Sequence, residues 1–101
     1  MRLDNLAIPG ETLASFCRQN HITELALFGS VLRGDFRPGS DVDVLVTFAP
    51  EAQPSLMDLA LMREELATLF GRDVDLVEKP GLRNPFRRRE ILRSMEVIYA
   101  S

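Results

Sequence analysis

At 101 residues the chain has room for one domain spanning residues 1–101. Its hydrophobic share of 46% supports one small core rather than two. A formal net charge of −3 argues against a general nucleic-acid binder, no apolar run reaches the roughly 18 residues of a membrane span, and the single cysteine, Cys17, has no partner for an internal disulfide. Met1-Arg2-Leu3-Asp4 is not followed by an apolar stretch, so no secretory leader and a cytoplasmic location are expected.

The chain alternates between helical and strand patterns. Pro9-Gly10 precedes a helix over residues 11–20, with Leu13, Phe16 and Cys17 at i, i+3, i+4 spacing. Residues 22–28 read as a strand ending at Gly29, and a short helix starts at Ser30. Gly34 and Pro38-Gly39 break the chain. Residues 41–48 form the clearest strand, with Val42, Val44 and Val46 on one face and Asp41 and Asp43 on the other. Ser55, with Asp58 three residues on, opens a long helix as a capping box. Leu59, Met62, Leu66 and Leu69 are its apolar stripe, and Gly71 ends it. Residues 73–78 are a third strand. Asn84-Pro85 is a cap and first helical residue for a helix to Ser94, and residues 97–99 form a short last strand. The expected fold is α+β, in the order αβαβαβα, with a mixed sheet of three to four strands packed against helices.

Three features carry chemistry. In Asp41-Val42-Asp43 the two acids share a strand face roughly 6.6–7 Å apart at the backbone. Asp43 also lies inside a run of valines, where charges seldom go without a partner. Gly29-Ser30 stands at a strand-to-helix junction, where free N–H groups and a partial positive charge suit phosphate; the Gly-Lys-Ser/Thr ending of a P-loop is missing. In Asp73-Val74-Asp75 the acids again share a face.

The short connection between residues 29 and 40 makes the first two strands antiparallel neighbours. The helix from Ser55 to Phe70 is long enough for a crossover to a parallel third strand. Both together bring Gly29, Ser30, Asp41, Asp43 and Asp75 to one end of the sheet. Like charges 4 Å apart repel by roughly 4 kcal/mol at an effective dielectric of 20, a large fraction of the 5–15 kcal/mol or so that stabilises a domain. Proton uptake or bound cations must relieve that strain; with a phosphate site alongside, a divalent metal is the better answer, and Mg²⁺ suits carboxylates shared with substrate phosphates. Two metals about 3.5–4 Å apart can serve the attacking and leaving oxygens.

The stretch Phe28-Gly29-Ser30-Val31-Leu32-Arg33-Gly34-Asp35-Phe36-Arg37-Pro38-Gly39-Ser40-Asp41-Val42-Asp43-Val44-Leu45-Val46 resembles the signature of the DNA polymerase beta-like nucleotidyltransferases, most of all their minimal branch, the MNT proteins. Gly71-Arg72-Asp73-Val74-Asp75-Leu76-Val77 resembles the strand bearing their third carboxylate. The resemblance places that role on Asp75 rather than Asp73, because the family's acid precedes two apolar residues. It implies that Gly29 and Ser30 hold the triphosphate, that Asp41, Asp43 and Asp75 form a catalytic, Mg²⁺-binding triad, and that ATP is the nucleotide donor. It also places Arg33 and Ser40 in the nucleotide-binding set: Arg33 matches a recurrent arginine, for phosphate or for a structural ion pair, and Ser40 serves the nucleotide or only fixes the turn before Asp41.

MNT proteins are commonly paired with a helical HEPN toxin and act as its antitoxin, some by transferring AMP onto it. The resemblance therefore implies a protein adenylyltransferase with a HEPN-type partner. All residues are spent on the catalytic core, so an acceptor-binding surface supplied by another protein is expected. The alternatives are a non-catalytic antitoxin that masks its toxin, and a small-molecule nucleotidyltransferase of the aminoglycoside type. The residues fix neither the nucleotide nor the acceptor, and they leave homo-oligomerisation open. Arg72, Lys79, Arg83, Arg87, Arg88, Arg89 and Arg93 read as a solvated helix face or a surface for phosphate or an acidic partner. His21 and Cys17 are expected to be structural, and Tyr99 to lie at the core edge or an interface.

Overall fold

The period-two pattern of the valine-rich segment sets the sheet. In the computed structural model, which describes residues 2–3, 6–32 and 39–101, a short ribbon of β1 (Arg2–Leu3) and β2 (Leu6–Ala7) precedes helix α1 (Gly10–Gln19). Strand β3 (Ile22–Phe28) runs into a single 3-10 turn at Gly29–Leu32. Strand β4 (Val42–Phe48), helix α2 (Leu56–Phe70), strand β5 (Val74–Glu78), helix α3 (Pro85–Ser94) and strand β6 (Glu96–Ala100) follow.

Four strands form one mixed sheet in the order β5-β4-β3-β6. The β4–β5 pair is parallel, and β3 is antiparallel to both β4 and β6. The expected antiparallel and parallel pairings are both present, and the last strand is longer than the sequence suggested. The β1–β2 ribbon was not anticipated. The helix expected at Ser30 is only one 3-10 turn among the described residues.

Both faces of the sheet are covered. Leu25 and Leu27 of β3 and Val42, Val44 and Val46 of β4 pack with Leu13, Phe16 and Cys17 of α1 and Met62, Leu66 and Phe70 of α2. The alternate residues Ala26, Phe28 and Leu45 pack with Leu82 and Ile91 beneath α3. Burying one such Leu or Phe contributes about 1.5–3 kcal/mol. The face that carries Asp43 is therefore apolar beyond the acid, with Leu45 only 1% exposed. That second layer explains why β4 reads as nearly continuous hydrophobic sequence.

Local signals end the helices. The Ser55 hydroxyl accepts from the Asp58 N–H at 3.0 Å, and the Asp58 carboxylate accepts from the Ser55 N–H at 2.9 Å. Gly71 closes α2 at φ +69°, where other residues are strained. The Asn84 side chain accepts from the Phe86 and Arg87 N–H groups at the start of α3. Along α2 the buried residues are Met62, Leu66 and Phe70; Leu59 and Leu69 are half-buried, Leu69 against the core. Cys17 is fully buried, Tyr99 packs against the core from its edge, and His21 is exposed at φ +57° just past α1. Among the described residues no helix is long and apolar enough to cross a membrane.

Candidate active site

Parallel strands begin at the same edge of a sheet, so their first residues share one rim. The register pairs Val42 with Val74 and Asp43 with Asp75, placing the two acids side by side on strands about 4.8 Å apart. The Val42 N–H donates to the Asp73 carbonyl at 2.8 Å and pins the strand starts together. Asp43 is half-buried and Asp75 is exposed.

The antiparallel neighbour completes the rim. Phe28, the last residue of β3, pairs with Asp43, so Gly29 turns directly over that carboxylate. Gly29 adopts φ +78°, and a Cβ there would overlap an Asp43 carboxylate oxygen and lie 3.1 Å from its Cγ. Only glycine fits this conformation and this approach. Ser30 follows, half-buried, in the same 3-10 turn.

Asp41 stands one residue before β4 and is exposed. It lines a groove of about 400 Å³ with Arg63, Glu64 and Asp73, whereas Asp43 lines a separate cavity beneath α3. Among the described residues no three His, Cys, Asp or Glu side chains gather closely enough to hold an ion by themselves. Asp43 and Asp75 are thus brought together with Gly29, and Asp41 sits at the same sheet end but opens toward α2. Ser40 is half-buried and Arg33 lies outside the described residues.

Two contributions to this geometry were not anticipated. Arg72, at the α2–β5 turn, donates from a half-buried guanidinium to the Ser40 carbonyl at 2.8 Å. It ties the approach to Asp41 to the start of β5. The signal was its place directly before Asp73, but the residue was read as one of a charged run. The second is the α3 face at Arg87, Glu90 and Ser94, which walls the cavity of about 280 Å³ over Gly29 and Asp43. The arginine-rich segment is therefore not one surface. Arg88 donates to the Lys79 carbonyl at 3.2 Å, and Lys79 pairs with Glu24 at 3.7 Å, while Arg83, Arg87, Arg89 and Arg93 are exposed.

Comparison with known proteins bears on the family and the fold. The nucleotidyltransferase domain family matches residues 11–98. The protein adenylyltransferase MntA of Thermococcus cleftensis is 41% identical over 78 residues, covering 77% of this chain and 74% of its own. A solved structure assigned to the minimal nucleotidyltransferases superposes with a TM-score of 0.68 at 36% identity, over 84% of each chain. A chain from the complex of tri-AMPylated Shewanella oneidensis HEPN toxin with MNT antitoxin shares the fold, with a TM-score of 0.63 at 18% identity over 91% of this chain and 70% of that one. With the Gly-Ser turn and paired acids at the edge of a mixed sheet, and with a family match running from α1 into β6, this chain belongs to the nucleotidyltransferase domain family and shares the fold of its minimal members.

Proposed function

We propose that this chain transfers AMP from ATP to a hydroxyl group on a partner protein of the HEPN toxin class, and that this modification makes it an antitoxin. The observation that carries the reading is the side-by-side register of Asp43 and Asp75 beneath Gly29. The name of the Thermococcus cleftensis relative supports the adenylyl group and a protein acceptor, and the AMPylated HEPN toxin bound to an MNT antitoxin supports the partner class.

The donor set suits Mg²⁺. Asp41, Asp43 and Asp75 offer only hard carboxylate oxygens, and such an ion is normally held by one or two carboxylates together with substrate phosphates. That agrees with a site in which the acids among the described residues are too few and too spread to enclose an ion. When bound, Mg²⁺ neutralises charge on the triphosphate and favours the ionised acceptor oxygen. The Gly29 turn, seated against the Asp43 carboxylate, holds the triphosphate, and the Ser30 hydroxyl donates to it. Ser40 holds the turn that delivers Asp41. The acceptor oxygen bonds to the α-phosphorus, and the bond from that phosphorus to the bridging oxygen of pyrophosphate breaks. The hydroxyl proton passes to the Asp75 carboxylate, which is exposed where an acceptor can reach it, and pyrophosphate leaves.

The test is label transfer. The purified chain is incubated with Mg²⁺, each α-labelled nucleoside triphosphate and an extract of its host, beside Asp43→Asn. A labelled protein band from α-labelled ATP with the intact chain alone is the expected result. Transfer retained by Asp43→Asn would sink the assignment of that carboxylate.

A second reading is an antitoxin that neutralises by masking alone. It is favoured by the outer face of α2, where Leu56, Met57 and Leu61 are 86%, 67% and 57% exposed, a surface apt for burial against another protein. Protection of cells by an Asp41→Asn/Asp43→Asn double variant would favour masking. Loss of protection with the complex still formed would favour transfer.

A further inference from the structure

Helix α3 packs over the acid face of the sheet through Ile91, which is buried with Ala26, Phe28 and Leu45. That contact and two others fix the rotation of the helix. The Asn84 side chain caps its first turn, and Arg88 is tied to the Lys79 carbonyl. In a helix so fixed, residues 87, 90, 91 and 94 share one face. That face closes the cavity of about 280 Å³ that opens onto Gly29 and Asp43.

The charges in that cavity are uneven. Asp43 and Glu90 contribute carboxylates, and among the described lining residues Arg87 is the one cation. Arg72 and Arg88 donate to backbone carbonyls. Among the described residues no ion pair or side-chain hydrogen bond engages the Arg87 guanidinium. Arg87 stands exposed at the wall of this small polar cavity, and a planar guanidinium is suited to phosphate oxygens, which it can bind through two parallel N–H groups. The cavity is smaller than the 300–1,000 Å³ or so of a pocket for a whole drug-sized ligand, so it suits part of a nucleotide.

The geometry points to Arg87 as a binding residue for the β- and γ-phosphates of the donor nucleotide, reached from the α3 side and opposite the Gly29 turn; this inference rests on the nucleotidyltransfer reading above. When the α-phosphorus transfers, negative charge grows on the departing pyrophosphate. A cation beside it stabilises that charge more than the charge of the bound triphosphate.

The test is calorimetric titration of the full chain with MgATP, Mg-pyrophosphate and AMP, using Arg87→Ala, Arg87→Lys and Arg89→Ala. Arg89 is exposed and lies about 200° around the helix from Arg87, so it controls for net charge. The expected result is a loss of about tenfold or more for MgATP and Mg-pyrophosphate with Arg87→Ala. AMP binding should be little changed, Arg87→Lys should recover part of the loss, and Arg89→Ala should match the intact chain. Equal melting temperatures would show that all variants fold. Unchanged MgATP affinity in Arg87→Ala, or a loss just as large for AMP, would overturn the assignment while leaving nucleotidyl transfer in place. No binding of MgATP by the intact chain would instead remove the donor reading, and this inference with it.

Discussion

The Asp43 carboxylate occupies the space that a side chain on Gly29 would need. The turn after β3 and the acid on β4 are therefore one unit, and neither can be altered without disturbing the other. Gly29→Ala meets two penalties. A left-handed backbone costs about 1–2 kcal/mol for a residue with a Cβ, and the methyl group would push the carboxylate aside. The expected outcome is a lower midpoint in urea unfolding together with a loss of nucleotidyl transfer larger than the stability change explains. Full activity in a folded Gly29→Ala chain would show that the close approach has no catalytic role.

The two acids at the start of β5 separate cleanly. Asp75 is the register partner of Asp43, whereas Asp73 precedes the strand and uses its carbonyl to accept from Val42. Asp75→Asn removes a charge beside Asp43 and should reduce transfer on the order of 100-fold or more, as loss of one key electrostatic group commonly does. Asp73→Asn keeps the backbone bond and should leave the rate within a few-fold. Steady-state rates for both variants, measured with the same acceptor, check the assignment. The reverse order would move the third acid to Asp73.

This site was legible in the sequence to the extent that it depends on periodicity. Alternation along residues 41–48 placed Asp43 opposite Val42 and Val44. The length of α2 implied the parallel return that pairs Asp43 with Asp75. Ser55 with Asp58, and Asn84 with Pro85, announced helix starts through local hydrogen bonding alone. Contacts between residues distant in sequence were hidden. Nothing in the spacing of Arg72 and Ser40 shows that a guanidinium will reach a carbonyl 32 positions away. Nor does the arginine-rich run show which member faces the sheet, because that depends on how Ile91 seats α3. The difference between Asp41 and Asp43 was also hidden, since two acids on one strand face can still open into different cavities.

Arg72 offers a test of positioning without contact to substrate. A hydrogen bond from a charged donor contributes about 1.5–3 kcal/mol when partly buried, and this one anchors the residue before Asp41. Arg72→Ala should lower stability and also reduce the rate, because Asp41 loses its fixed approach. Arg72→Lys can still donate one bond and should restore stability more than rate. If Arg72→Ala unfolds at the same urea concentration as the intact chain, the bond does not hold the loop in solution.

A contrasting result is expected at Ser55, at the opposite end of α2 from the Gly71–Arg72 turn. Ser55→Ala removes the hydroxyl that accepts from the Asp58 N–H, and loss of such a cap costs about 1 kcal/mol. The cap touches none of the site residues, so the transfer rate at a temperature well below melting should be unchanged. A rate that falls in proportion to stability would mean that the start of α2 is coupled to the acids.

Cys17 provides a probe of the core that is independent of catalysis. Burial pushes its thiol up from an ordinary 9.0 to about 12, with Arg18 pulling weakly the other way. A folded pKa above the unfolded value means that the native state holds the proton more tightly. The resulting stability is fully present below about pH 9 and is lost as pH rises toward 12. Other groups titrate over the same range, so the comparison is with Cys17→Ala. The intact chain should lose stability faster than that variant as pH rises from 9, even though the variant is less stable at neutral pH because it leaves a small cavity. Urea unfolding of both chains at a series of pH values measures the difference. The same burial makes the native thiol inert to an aromatic disulfide reagent at pH 8, with full reaction only after denaturation. Rapid reaction in the folded chain would place Cys17 at the surface and contradict the packing of α1 on the sheet.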